Sequence, residues 1–117
     1  MDLNQALAKH IEWKAKLRNA IANKETMDVA TISADNCCDL GRWLHGEAKE
    51  TMGDLPGYQN TVIKHAIFHR EAGKVARAIN ALQFNEAEAM LKTGSPYAAA
   101  SSAVGMAISD LRDETAL

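Results

Sequence analysis

Four histidines and two cysteines are the residues of this chain whose chemistry could go beyond packing. His65 and His69 stand four apart in "HAIFH", the spacing by which one helix presents two imidazoles to a single metal ion. His10 falls on an apolar line of the first predicted helix, whereas His45 stands beside Gly46 and is predicted to be exposed. A metal site shared by His10, His65 and His69 is one interpretation of this pattern.

The ordinary interpretation is that each histidine is a core residue bonded to a carbonyl. Three buried imidazoles would each need partners for two ring nitrogens, and a shared metal satisfies one nitrogen of each. A cysteine thiolate would complete a set of four, and three imidazoles with one thiolate suit tetrahedral zinc. The chain lacks paired Glu-x-x-His motifs, which disfavours a di-iron site. A site closed by four protein ligands is structural or sensory rather than hydrolytic.

Cys37 and Cys38 are adjacent and are the only cysteines. A bridge between neighbours is strained, and two cysteines do not make the disulfide framework of a secreted protein. At least one is therefore predicted to be a free thiol, a buried small hydrophobe or a metal ligand. By residue type alone, a buried inert cysteine is the favoured interpretation.

Apolar spacing predicts helices almost throughout and gives no strand pattern. A loop is expected over 23–35, a turn over 52–58 and a frayed tail over 113–117. Asp35 or Asn36 is expected to cap a short helix reaching about residue 50, Asn85 to cap another that stops at Gly94, and Ser95-Pro96 to restart the chain. The long helices are predicted over 3–21, 58–79 and 96–112. The predicted fold is all-α, an antiparallel four-helix bundle with an additional short helix, forming one domain over 1–117.

Composition limits the function classes. Hydrophobic residues make up 47% and charged residues 24% of the 117 residues, and the net charge is −2. This balance provides no basic footprint for nucleic acid or a membrane surface. The first segment lacks the apolar core of a signal peptide, so a cytoplasmic location is expected. No nucleophile–base pair or glycine-rich phosphate loop is present, and an enzyme is not expected.

Three segments together resemble the chemoreceptor zinc-binding domain family, known as CZB. These are "KHIEW", "CDLGRWL" and "HAIFH", and the resemblance covers essentially the whole chain. It implies Zn²⁺ held by His10, Cys38, His65 and His69. Cys38 is preferred because the family's cysteine stands three residues before a glycine, here Gly41.

The resemblance also implies a bacterial, cytoplasmic regulatory domain that tends to form homodimers. Such domains act with chemoreceptors or with diguanylate cyclases, which make cyclic di-GMP, and this chain would do so in cis or in trans. They are associated with sensing zinc and, in some members, hypochlorous acid through the zinc-bound cysteine. The alternative is a structural, zinc-stabilised dimerisation module without a sensing role.

Five neighbouring residues complete the expectations. Trp13 is expected to pack over the site, and Gly41 to allow another helix or the zinc-bearing turn to approach closely. Asp35 or Asp39 is a candidate acceptor for a ligand imidazole, and surface solvation is the favoured interpretation of Asp39. The family pattern provides no role for Cys37.

Overall fold

The computed structural model describes residues 1–116, and within them it contains seven α-helices and no strand. Three helices are long and four are short. In chain order they are α1 (Leu3–Asn23), α2 (Val29–Ser33), α3 (Asp39–His45), α4 (Glu47–Met52), α5 (Pro56–Asn80), α6 (Phe84–Met90) and α7 (Pro96–Thr115). The all-α prediction is confirmed.

The helix starts follow from local chemistry. The Asp2 carboxylate accepts hydrogen bonds from the first turn of α1, and Ser95 Oγ accepts one from the Ala98 N–H at 3.1 Å. Each bond satisfies a backbone donor that has no partner within its helix. Pro56 and Pro96 occupy the first turns of α5 and α7, where a missing N–H costs nothing.

Helix α7 runs antiparallel to both other long helices. Thr61, near the start of α5, donates to the carbonyl of Ala107, and Asn4, near the start of α1, accepts from Arg112. Each pair joins the beginning of one helix to the later half of α7. The predicted antiparallel packing is therefore seen between α7 and its two long neighbours.

Helix α5 is the centre of the packing, with α7 and α2 as its main partners and α1 packed on α7. Its buried residues include Phe68, Val75 and Ile79, all at most 1% exposed. The buried face of α5 also carries His65 and His69, so the core itself positions two imidazoles. No helix in residues 1–116 combines the length and the apolar character needed to cross a membrane.

Three predictions about the segment 23–52 were wrong. The expected loop contains α2, whose start is capped by Asp28 through the Thr31 N–H. The expected helix to residue 50 is two helices, because the backbone of Gly46, at φ −116° and ψ −107°, lies outside the helical region. The cap of α3 is neither Asp35 nor Asn36 but Cys38, whose sulfur accepts from the Gly41 N–H.

Two boundaries near the C-terminus also differ from expectation. The predicted cap, Asn85, lies inside α6, and Gln83 is the residue before the helix. The helix begins earlier than predicted, at Phe84, which packs against the core. Helix α7 continues past Arg112 to Thr115, because the Glu114 carboxylate binds the start of α5. The end of the predicted frayed tail, Leu117, lies outside the described residues.

Candidate metal centre

The four residues predicted as metal ligands lie together. His10 comes from α1, Cys38 from the position just before α3, and His65 and His69 from successive turns of α5. One donor atom from each can be chosen so that all four lie within 4.8 Å of one another. The fold thus joins residues up to 59 positions apart in the sequence at one point.

The distances approach those of a tetrahedral site. Cys38 Sγ lies 3.3 Å from His65 Nε2 and 3.6 Å from His69 Nε2, and the two Nε2 atoms are 3.0 Å apart. Zinc bonds of about 2.0 Å to nitrogen and about 2.3 Å to sulfur imply tetrahedral edges of about 3.3 Å and about 3.5 Å. Three of the four donors therefore already stand at spacings that a zinc ion requires.

Backbone carbonyls orient two of the imidazoles. His10 Nδ1 donates to the Ala6 carbonyl at 2.8 Å, and His69 Nδ1 donates to the Ile32 carbonyl at 2.9 Å. A carbonyl can only accept, so each Nδ1 carries the hydrogen and each Nε2 presents a lone pair to the centre of the cluster. This is the tautomer in which a histidine binds a metal through Nε2.

The Nε2 atom of His10 provides a further test of whether the cluster fits a metal ion. His10 is 4% exposed, and its Nε2 is buried with no hydrogen-bond partner. A buried polar atom without a partner is costly in a protein interior. A metal ion held by the cluster would use this lone pair, so the donor set fits zinc.

Burial keeps the imidazoles neutral. It lowers the pKa of His65 from 6.5 to about 3, with the neighbouring His69 adding to the effect. Burial also lowers the pKa of His10 and of His69, against the raising effect of their carbonyl bonds. Neutral imidazole is the form that binds a metal, so three ligands need lose no proton at neutral pH.

The thiol of Cys38 behaves differently. Burial raises its pKa, and the hydrogen bond from the Gly41 N–H opposes that rise. A metal ion would therefore displace the thiol proton on binding. The same sulfur is the N-terminal cap of α3, with Gly41 N at 3.3 Å, so its chemistry and the start of that helix are joined.

Gly41 makes this turn possible. A Cβ at this position would lie 1.9 Å from the carbonyl oxygen of Asp35. The expectation that Gly41 allows another segment to approach closely is thus confirmed, and the segment is the chain's own turn before α3.

Other expected neighbours have different outcomes. Trp13 stands edge-on to His69, with ring centroids 6.3 Å apart, so it packs beside the site as expected. Asp35 binds the exposed His45 at 3.1 Å instead of a buried imidazole of the cluster, which makes the prediction of its acceptor role wrong. Cys37 is exposed and lies outside the four-residue cluster.

Sequence reasoning missed the two carbonyls that orient the rings. The Ala6 carbonyl could have been anticipated, because a helix places residue i−4 beside residue i. The Ile32 carbonyl could not, since it reaches His69 only through the packing of α2 on α5.

Fold and site together define a small helical metal-binding domain. The sequence model of the chemoreceptor zinc-binding domain family matches residues 10–76, more than half of the chain, and the matched range includes all four residues of the cluster. The chain belongs to this family, and Zn²⁺ is its cofactor. Searches of the curated proteins and of the solved structures each found no match.

Proposed function

We propose that His10, Cys38, His65 and His69 bind one zinc ion and that the whole chain, 1–117, is a single regulatory domain around it. The convergence of three Nε2 atoms and one sulfur carries this proposal. A site of four protein ligands would hold zinc without an open position for a reacting water. That chemistry fits a regulatory role and not a hydrolytic one.

Elemental analysis of the purified protein tests the ligand set. We expect one zinc per chain in the wild type. A competing chelator should remove zinc from four variants at a much lower chelator concentration than from the wild type: His10→Ala, Cys38→Ser, His65→Ala and His69→Ala. His45→Ala is the matched control, because His45 is exposed and outside the cluster. Equal zinc retention by His45→Ala and the four cluster variants would contradict the assignment.

The proposed signal is zinc itself or an oxidant such as hypochlorous acid. Cys38 is partly exposed and lines a cavity, so a small oxidant can reach its sulfur. The thiolate attacks the chlorine of hypochlorous acid, so that a sulfur–chlorine bond forms and hydroxide leaves. Water then displaces chloride from the sulfur, and the product is a sulfenic acid. The oxidised sulfur would be a weaker ligand, and the cluster would hold zinc less tightly.

A redox-inert ligand separates this mechanism from other routes of release. We expect hypochlorous acid to release zinc from the wild type and from Cys37→Ala, and to leave zinc bound in Cys38→Asp. A zinc-loaded Cys38→Asp protein that releases its metal at the same dose would exclude the thiol as the trigger.

The proposed context is bacterial and cytoplasmic, with a chemoreceptor or a diguanylate cyclase as the regulated partner, in cis or in trans. Family membership supports this context. Reconstitution with each class of partner, with and without zinc, tests which output responds.

A structural dimerisation module is the second candidate. Ile11 and Met106, 65% and 67% exposed, lie along a shallow groove between α1 and α7 that a second copy could cover. Sedimentation of zinc-loaded and zinc-free protein distinguishes the two functions. Unchanged fold and unchanged self-association without zinc would favour the structural module over the sensor.

A further inference from the structure

A cavity of about 580 Å³ lies between α1 and the segment that begins α3. Of the four cluster residues, His10 and Cys38 line it, whereas His65 and His69 do not. Cys37, the cysteine with no role in the zinc site, lines the same cavity. The cavity is therefore the side from which the cluster is reached.

We infer that this cavity is the path of zinc exchange with small chelating molecules in solution, soluble thiols or carboxylates, and that Cys37 serves as a transient ligand on that path. The inference rests on the proposed zinc site. Three observations carry it: the position of the cavity, the absence of His65 and His69 from its lining, and the exposed position of Cys37 in that lining.

The lining of the cavity determines the direction of exchange. His65 and His69 belong to the central helix and do not line the cavity, so they do not lead a metal outward. Cys38 is partly exposed, and His10 lines the cavity with an Nε2 that has no hydrogen-bond partner. An incoming or departing ion therefore meets His10 and Cys38 first.

Cys37 offers the next sulfur along this path. Its Sγ makes only a long contact, 3.6 Å to Asn36 Oδ1, so the side chain can turn without losing a strong bond. Arg42 donates to the Cys37 carbonyl and holds the backbone in place while the side chain turns. During release, Cys37 would replace His10 as a ligand on the cavity side, and the Cys37 thiol proton would pass to water.

Exposed ion pairs bridge the two walls of the cavity. Lys9 on α1 binds Asp39 at 3.2 Å, and Asp39 also binds Arg42, so these three cavity-lining residues tie α1 to α3. Replacing the carboxylate with an amide weakens both ion pairs. The gap between the two helices then opens more often, and exchange in either direction becomes faster.

Two rates test the inference in the wild type, Cys37→Ser and Asp39→Asn. The release rate is measured by stopped-flow transfer of zinc to a chromogenic chelator, and the uptake rate from buffered zinc. We expect Cys37→Ser to slow release and uptake by about tenfold each, a change of about 1.4 kcal/mol in the barrier. Its zinc affinity should match that of the wild type, and Asp39→Asn should exchange faster.

Several results would overturn the inference. Wild-type rates in Cys37→Ser would remove the role of Cys37, and a loss of affinity in place of a loss of both rates would make it an equilibrium ligand. Exchange unaffected by Asp39→Asn would exclude the ion pair between Lys9 and Asp39 as a barrier on the path. A wild-type protein without stoichiometric zinc would instead overturn the proposed function, and elemental analysis reveals that separately.

Discussion

The surroundings of the four cluster residues favour metal binding in the absence of the metal. His10 and His69 are oriented by carbonyls, His65 is kept neutral by burial, and Cys38 couples its sulfur to the start of α3. Such surroundings lower the cost of assembling a metal site, because the rings need little reorientation on binding.

Gly41→Ala tests whether the turn that positions Cys38 requires a residue without a side chain. The added Cβ would meet the Asp35 carbonyl at 1.9 Å, and such crowding costs about 1–3 kcal/mol. We expect a lower urea midpoint and weaker zinc binding, since the same turn positions Cys38.

Gly105→Ala is the matched control for that experiment. Its Cβ would lie 3.5 Å from Leu7 Cδ1, an ordinary contact, within the interior of α7. Alanine favours a helix over glycine by about 0.5–1 kcal/mol, so this variant should be at least as stable as the wild type. Equal destabilisation of both variants would contradict the role of close approach at Gly41.

At the scale of elements, α5 is the helix that contributes most to the site. It carries two of the four cluster residues, and α2 packs on it to deliver the Ile32 carbonyl to His69. Gly73 makes that contact possible, because a Cβ there would lie 2.0 Å from Ser33 Oγ and 2.9 Å from Ser33 Cβ.

Gly73→Ala is therefore expected to displace α2 and to destabilise the protein by about 1–3 kcal/mol. Hydrogen exchange should show the loss first in α2. Ser33→Gly removes the two nearest atoms, so the double variant should recover part of the lost stability. A double variant no more stable than Gly73→Ala alone would show that the contact with Ser33 is not the cause.

The start of α5 depends on another helix for its cap. No side chain of its own segment caps it, and Glu114 on α7 accepts from the Gly57 N–H at 3.3 Å. A carboxylate at a helix N-terminus contributes about 0.3–1 kcal/mol. We expect Glu114→Gln to lower the free energy of unfolding by that amount in urea titrations.

Asp113→Asn controls for the loss of a charge near the end of α7. Asp113 is 72% exposed and pairs only with the neighbouring Arg112. Its variant should unfold at the wild-type midpoint. The same loss in both variants would indicate a general charge effect and not a cap.

At the scale of the molecule, the proposed zinc ion would join α1, α5 and the segment leading into α3. Metal binding of this kind contributes directly to folding stability. We expect the wild type to show a higher Tm with zinc than with a chelator, and Cys38→Ser to show little difference. Coincident melting curves of zinc-loaded and zinc-free wild type would contradict this coupling.

The zinc-free protein should lose stability in mild acid. His65 has a pKa of about 3 in the folded protein against 6.5 when exposed, so the unfolded state binds more protons between these values. Stability is full above pH 6.5 and falls as the pH is lowered towards 3. By pH 4.5 the loss from His65 is on the order of 2 kcal/mol.

Urea midpoints between pH 6.5 and 4.5 measure this effect. Hydrogen bonds from Thr31 and Lys9 keep the pKa values of Asp28 and Asp39 below 3.8, so these carboxylates stay charged in this window. Zinc-free His65→Leu should show a shallower pH dependence than the wild type. An equal slope in both proteins would assign the effect to other groups.

The sequence by itself determined the helical fold and the pairing of His65 with His69, because both follow from periodic spacing along one helix. Spacing also put His10 on an inner face. The resemblance chose Cys38 over Cys37, and the structure brought Cys38 to the imidazoles.

Only the tertiary structure decided the surroundings of the site. The Ile32 carbonyl and the cavity that Cys37 shares with Cys38 both arise where segments distant in sequence pack together. Residue spacing within one helix carries no information about such contacts. They depend on how the helices pack against one another.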